Sequence, residues 1–224
     1  GRPVAHANVE RLSPDGETQQ RTTSARDGGF ELSRVPEGAT RLVARSSDEA
    51  LAGPTVSVTA GAEHVVLLVA PTVTLKLAIA DWSGPPQAWL RLVDEDGNRG
   101  TPWAQVDGAG LVSIAGVRPS ATYRVYQTWE LAGGKHLVVA AKGLRGDAGT
   151  VKLTAVEGKR IVGRVLLPQG VDWWNVQAVR DGTTREAATG DEGAFSVDGL
   201  AEGTWTLEVY AQAAGGIAAF IDAE

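Results

Sequence analysis

Asp27-Gly28-Gly29-Phe30-Glu31-Leu32-Ser33-Arg34-Val35-Pro36-Glu37-Gly38 returns 165 residues later as Glu192-Gly193-Ala194-Phe195-Ser196-Val197-Asp198-Gly199-Leu200-Ala201-Glu202-Gly203. A looser copy lies between them, running from Asp107-Gly108-Ala109-Gly110-Leu111-Val112 through Ser113-Ile114-Ala115-Gly116-Val117 to Arg118-Pro119-Ser120. Val35, Val117 and Leu200 are thereby spaced by 82 and 83 residues. Self-similarity at a fixed period is the signature of a repeat array. The spacing predicts three units, at 1–70, 71–156 and 157–224.

Each unit reads as strands. Phe30 and Leu32, then Leu42 and Ala44, alternate with polar neighbours. Phe195 and Val197, then Trp205, Leu207 and Val209, do the same. A period of two puts one face of a strand on a core and the other in water. The Asp-Gly and Glu-Gly steps supply turn chemistry. The apolar run Val65-Val66-Leu67-Leu68-Val69 predicts a strand covered on both faces. No stretch of ten or more residues carries helical periodicity. Short strands at regular spacing predict an all-β chain of three tandem β-sandwiches.

Composition narrows the function. Among 224 residues there is no cysteine, so there is no disulfide framework, thiolate metal site or cysteine nucleophile. The net charge of −6 gives no electrostatic footprint for nucleic acid. No run of 18 apolar residues predicts a membrane-spanning helix. Arginine outnumbers lysine 16 to 5 and there is no methionine, a bias that suggests an excerpt from a GC-rich bacterial source.

The motifs resemble the carboxypeptidase regulatory-like domain, the transthyretin-like or prealbumin-like sandwich. Gly1-Arg2-Pro3-Val4-Ala5-His6-Ala7-Asn8-Val9 is similar to its second element, residues 24–30 to its third, and Val35-Pro36-Glu37-Gly38 to its fourth. Ile161-Val162-Gly163-Arg164-Val165, residues 189–195 and residues 200–207 match in the third unit. The second unit departs, with Val112 in place of Phe and Ser120 in place of Gly. The resemblance implies an Ig-like sandwich fold and says little of function. Aligned this way, the unit at 71–156 opens with a strand at 73–79 and the unit at 157–224 with one at 160–166. The unit at 1–70 is expected to lack its first strand here, and that at 157–224 its last.

Candidate sites are few. His6, His64 and His136 are scattered along the sequence, with His64 and His136 expected at strand starts. No nucleophile-elbow, zincin or phosphate-loop signature occurs. Asp94-Glu95-Asp96-Gly97-Asn98 has the oxygens of a calcium loop, but the sixth and twelfth positions are Arg99 and Gln105, so a polar hairpin is expected. The seven tryptophans are the strongest signal. Trp205 takes a core position, and Trp174 shares a face with Val176 and Ala178. Strand parity turns Trp89 and Trp173 outward, and Trp82 stands in a polar turn. Exposed indoles near loops stack on sugar rings or fill a partner's pocket. Trp82, Trp89 and Trp173, with Asp81 and Asp172 as acceptors for hydroxyls, are therefore the candidate ligand-binding residues.

The expected function is non-catalytic: a repeat array of an exported bacterial protein, acting as a structural spacer or an adhesion and interaction module. The alternative is a carbohydrate-binding module. The expected location is extracellular, on the cell surface or in the periplasm. The expected partners are other domains of the same longer chain and a surface protein or polysaccharide, with no nucleic acid, no membrane insertion, no metal and no cofactor.

Overall fold

Leu75, Leu77 and Ile79 alternate with Thr74, Lys76 and Ala78, and all three are buried. The same alternation shapes the rest of the computed structural model. It describes residues 2–13, 16–96, 99–166, 171–190, 193–213 and 218–223, without the side chains of 171–173 and 211–223. The protein is all-β. No α-helix occurs among the described residues, so none is long and apolar enough to cross a membrane.

The first sequence repeat holds β1 (Asn8–Leu12), β2 (Thr18–Thr23), β3 (Ala39–Arg45), β4 (Leu51–Ala52), β5 (Val56–Thr59) and β6 (Ala70–Pro71). The second holds β7 (Val73–Ala80), β8 (Trp89–Leu90), β9 (Val93–Asp94), β10 (Ala104–Gln105) and β11 (Leu111–Val117). It continues with β12 (Thr122–Glu130), β13 (His136–Arg145), β14 (Thr150–Thr154) and β15 (Val156–Glu157). The third holds β16 (Lys159–Arg164), β17 (Val171–Arg180), β18 (Thr183–Glu186), β19 (Ala188–Thr189), β20 (Ala194–Leu200), β21 (Thr206–Ala213) and β22 (Ala218–Ala223).

Packing divides the chain into two compact units. One comprises Gly1–Trp82, Pro86–Val125 and Ala141–Leu153; the other comprises Ser83–Pro85, Tyr126–Ala140 and Thr154–Glu224. In the first unit a sheet runs β2-β1-β3-β4-β6, with β5 also on β3. A second sheet runs β11-β7-β14, and β8 pairs with β10. In the second unit the sheets run β16-β20-β19 and β18-β17-β21-β22. Its core gathers Ala178, Val197 and Leu200, with Ile161, Phe195, Trp205 and Leu207 packed against them.

Three expectations for the first repeat are corrected. Val65–Val69 is not a strand covered on both faces: it pairs with nothing as a ladder, and Val66 and Leu68 are 74% and 71% exposed. Phe30 and Leu32 also stand outside any strand and are half-buried. The reason is a missing neighbour. In the second repeat the counterparts of Phe30 and Leu32, Val112 and Ile114, pair with Leu77 and Leu75 of β7. The strand β14 flanks β7 on its other side. Among the described residues, no strand takes the place of β7 in the first repeat. His64 consequently sits in a bend at φ 57° rather than at a strand start, whereas His136 does open β13.

Backbone geometry nevertheless repeats. Gly28, Gly110 and Gly193 occupy one position of the motif and have φ of 80°, 78° and 81°. Arg34, Gly116 and Gly199 occupy another, at 56°, 73° and 71°. At that second position the β7–β11 and β16–β20 ladders shift register by a bulge. Positive φ is a glycine conformation, and Arg34 adopts it at a cost. Space explains the difference. A Cβ on Gly199 would meet Thr128 Oγ1 at 2.5 Å, and one on Gly116 would meet Glu49 Oε2 at 3.2 Å. Those neighbours belong to the preceding sequence repeat. Arg34 is exposed.

Candidate functional site

Trp89 lies on a short ribbon whose parity is clean. Ala88, Leu90 and Leu92 point inward and are fully buried, so Trp89 and Arg91 point out. Gln105 of β10 stands directly opposite Trp89. Two residues before Gln105, and so on the same face, comes Trp103. Trp89 is 47% exposed and Trp103 51%. The Arg91 guanidinium lies 5.0 Å from the centre of the Trp103 ring, a cation–π distance. Its Nη2 also donates to Glu17 Oε1 at 3.2 Å. Gln105 Nε2 donates to the Pro86 carbonyl at 3.5 Å. The face thus combines two apolar plates, a cation and an amide.

Other candidate residues fall elsewhere. Asp81 follows β7 in a turn at φ 56° and is exposed. Trp82 is half-buried against the Gly110 turn, where a Cβ on that glycine would lie 2.8 Å from Trp82 Cβ. Trp82 lies outside the strands of the β8–β10 ribbon that carries Trp89. The side chains of Asp172 and Trp173 lie outside the described residues, as does the turn at 168–170. Trp103 escaped the sequence reading because Thr101-Pro102-Trp103 carries no alternation; only the pairing of the adjacent Ala104 and Gln105 with β8 and the Arg91 contact reveal its side.

The acidic stretch at 94–96 forms the expected hairpin. The Asp94 amide donates to the Arg99 carbonyl at 2.8 Å, and the Asp96 amide donates to Asp94 Oδ1 at 2.9 Å. Gly97 and Asn98 lie outside the described residues. Asp94 is buried and ion-paired with Arg118. No cluster of three or more metal-ligating side chains occurs among the described residues.

The strongest electrostatic feature is Glu10. On β1 it faces Arg21 of β2 and Val43 of β3, and it is 0% exposed. Arg21 and Arg45 donate to its Oε1 at 2.7 and 2.9 Å. Arg99 donates to its Oε2 at 2.9 Å through Nη2 and at 3.3 Å through Nε. Thr18 Oγ1 adds a bond at 3.3 Å, and Arg45 is also paired with Glu49. Burial pushes the Glu10 carboxyl up, but the Arg99 and Arg45 charges and hydrogen bonds outweigh it, so its pKa lies below the ordinary value. One carboxylate thereby joins the first sequence repeat to the second. Sequence reading missed it because Arg99 is 89 residues away.

In the second unit, Tyr126 links the second sequence repeat to the third. The Tyr126 hydroxyl donates to the Gly199 carbonyl at 2.8 Å and accepts from the Ala201 amide at 2.9 Å. The Tyr126 ring meets Trp205 edge-on at 5.5 Å, and Trp205 Nε1 donates to the Ala201 carbonyl at 2.9 Å. Trp205 is half-buried and packs on the core, under the Arg180 guanidinium at 5.8 Å. Burial raises the Tyr126 pKa.

No protein-family model matches the chain, and no curated protein matches it. Two solved structures are similar at a low level. The Bacillus anthracis TIE protein is 11% identical with a TM-score of 0.24, over 100% of this chain and 46% of that one. A tetra-tandem repeat in the extending region of a large adhesion protein is 15% identical with a TM-score of 0.18, over 99% of this chain and 66% of that one. The chain therefore spans less than two thirds of either structure's length.

Proposed function

We propose that the chain is a non-catalytic array of tandem carboxypeptidase regulatory-like repeats from an exported bacterial protein. It serves there as a structural spacer and interaction module, at the cell surface or in the periplasm, with neighbouring domains of a longer chain as its first partners. The observation that carries this reading is the Glu10–Arg99 contact. A spacer holds its ends apart only if successive repeats resist bending and separate unfolding. A buried carboxylate shared by arginines from two repeats supplies such resistance, because separating the repeats strands charges that were paired. The absence of cysteine fits too, since stability here rests on packing and ion pairs. Calorimetry tests the reading. The first unit should unfold in one cooperative transition, and Arg99→Ala should split that transition or broaden it. Two independent transitions within the first unit of the unaltered protein would remove the support.

A second reading, carbohydrate binding, is favoured by the Trp89–Trp103 face. Indole plates stack on the apolar side of pyranose rings, while Arg91 and Gln105 offer donors to hydroxyls. A glycan screen read by tryptophan fluorescence tests it, and a screen without quenching leaves the spacer reading alone.

A further inference from the structure

We infer that a single halide ion, chloride, binds in a small cavity shared by the first and second sequence repeats, held by Arg45, Thr55 and Tyr123. The inference depends neither on the spacer reading nor on the Trp89–Trp103 face. Three observations carry it.

The first is a set of donors without acceptors. Arg45 donates through Nη1 to Glu49 and through Nη2 to Glu10 at 2.9 Å, but its Nε is shut off from solvent and has no partner. Thr55 Oγ1 is shut off and unpartnered in the same way. The hydroxyl of the buried Tyr123 accepts from the Arg118 amide at 2.8 Å, and among the described residues no group accepts its proton. All three side chains line one cavity. Enclosed donors without acceptors are rare in folded proteins, and three around one space call for an acceptor inside it.

The second is charge. Arg21, Arg45, Arg99 and Arg118 have the carboxylates of Glu10, Glu49 and Asp94 as their ion-pair partners, so four guanidiniums share three carboxylates. Arg45, Arg99 and Arg118 all line the cavity, and Asp94 is the one carboxylate on its wall. Asp94 is already engaged by Arg118. The wall therefore presents a positive field to its interior, where little water screens it.

The third is size. A cavity of about 20 Å³ admits one water molecule or one monatomic anion and excludes sulfate, phosphate and carboxylates. Water is the poorer occupant, because it accepts two hydrogen bonds and must also place two protons of its own. A halide accepts from every donor around it and brings none. Arg45 and Thr55 belong to the first repeat, and Tyr123 and Arg118 to the second. The ion thus draws the two repeats together, and by binding the folded form alone it stabilises the first unit.

The probe is sodium chloride, titrated into the full chain in place of sodium gluconate at constant ionic strength. Gluconate is too large for the cavity. The unfolding midpoint of the first unit should rise by several degrees and saturate, while that of the second unit stays where it was. Screening of surface charge follows ionic strength and would not distinguish the two salts. Thr55→Val keeps the volume and removes one donor, so it should raise the chloride concentration needed for half the effect about tenfold. Each variant is compared with itself in gluconate, so a general loss of stability does not mimic loss of the site. Bromide should replace chloride, and crystals of the unaltered protein soaked in bromide should show an anomalous peak in contact with Arg45, Thr55 and Tyr123. That measurement decides the matter if Thr55→Val does not fold. Equal midpoints in the two salts, a chloride effect unchanged in Thr55→Val, or bromide bound on the outer surface as an adventitious ion only would each overturn the inference. A cavity that holds water in the bromide-soaked crystals would do the same.

Discussion

Arg99 and Glu10 meet at 2.9 Å across 89 residues of sequence, and the carboxylate between them has no exposure to solvent. Arg99→Ala should leave Glu10 paired with Arg21 and Arg45. Glu10→Gln removes the carboxylate that all three arginines share. Breaking a buried pair from one side costs about 3–5 kcal/mol. Glu10→Gln is therefore expected to lower the stability of the first unit by more than Arg99→Ala does. Urea titration measures both, and equal, small losses would show that the cluster contributes little.

The same group sets a pH dependence. Its pKa in the folded protein lies below the ordinary carboxyl value, so the unfolded chain binds its proton more readily. The stability it contributes is fully present above the unfolded-state pKa and is lost as pH falls through the depressed folded value. Acid melting curves of the wild-type protein and Glu10→Gln should converge at low pH and separate toward neutrality. Parallel curves across that range would refute the assignment.

Tyr126→Phe removes one hydroxyl that both donates to Gly199 and accepts from Ala201. Leaving a buried carbonyl and amide without that partner costs about 1–3 kcal/mol. Trp205→Ala should cost about 2–3 kcal/mol, below the ~3–5 kcal/mol of a fully enclosed ring, because this indole is half-buried. The two substitutions share a contact at 5.5 Å, so their effects should not add. Additive losses in a double-mutant cycle would show the rings to be uncoupled.

Trp103→Ala and Trp89→Ala leave the core intact, since both rings are about half exposed. Neither should move the melting temperature by more than a degree or two. If a polysaccharide quenches the fluorescence of this protein, each should weaken the quenching, and Arg91→Ala should weaken it through loss of the stacked cation. Quenching that survives in the Trp89→Ala, Trp103→Ala double variant would place the sugar elsewhere.

Much of the fold was legible because period two is a local property. Leu75, Leu77 and Ile79 announce β7 without reference to any other residue, and Phe195, Val197 and Leu200 announce β20. What failed was the step from a strand-like sequence to a strand. Val65–Val69 has the composition of a buried strand, yet a strand needs a neighbour, and composition does not say whether one is present. The site was harder still. Trp89 could be turned outward from parity alone, but Trp103 joins it only through the pairing of β8 with β10. Glu10 reads as an ordinary polar position, and its arginines are scattered over three distant stretches.

The position shared by Arg34, Gly116 and Gly199 carries a last consequence, for interchangeability. A glycine there lets the preceding repeat close onto the bulge, as Glu49 does at Gly116 and Thr128 at Gly199. An arginine fills that ground with its own side chain. The three repeats are therefore not equivalent cards in a deck. The second and third could trade places with the approach to this position kept open, whereas moving the first behind either of them would drive a guanidinium into its neighbour. A shuffled array would have to carry Arg34→Gly before it could stack.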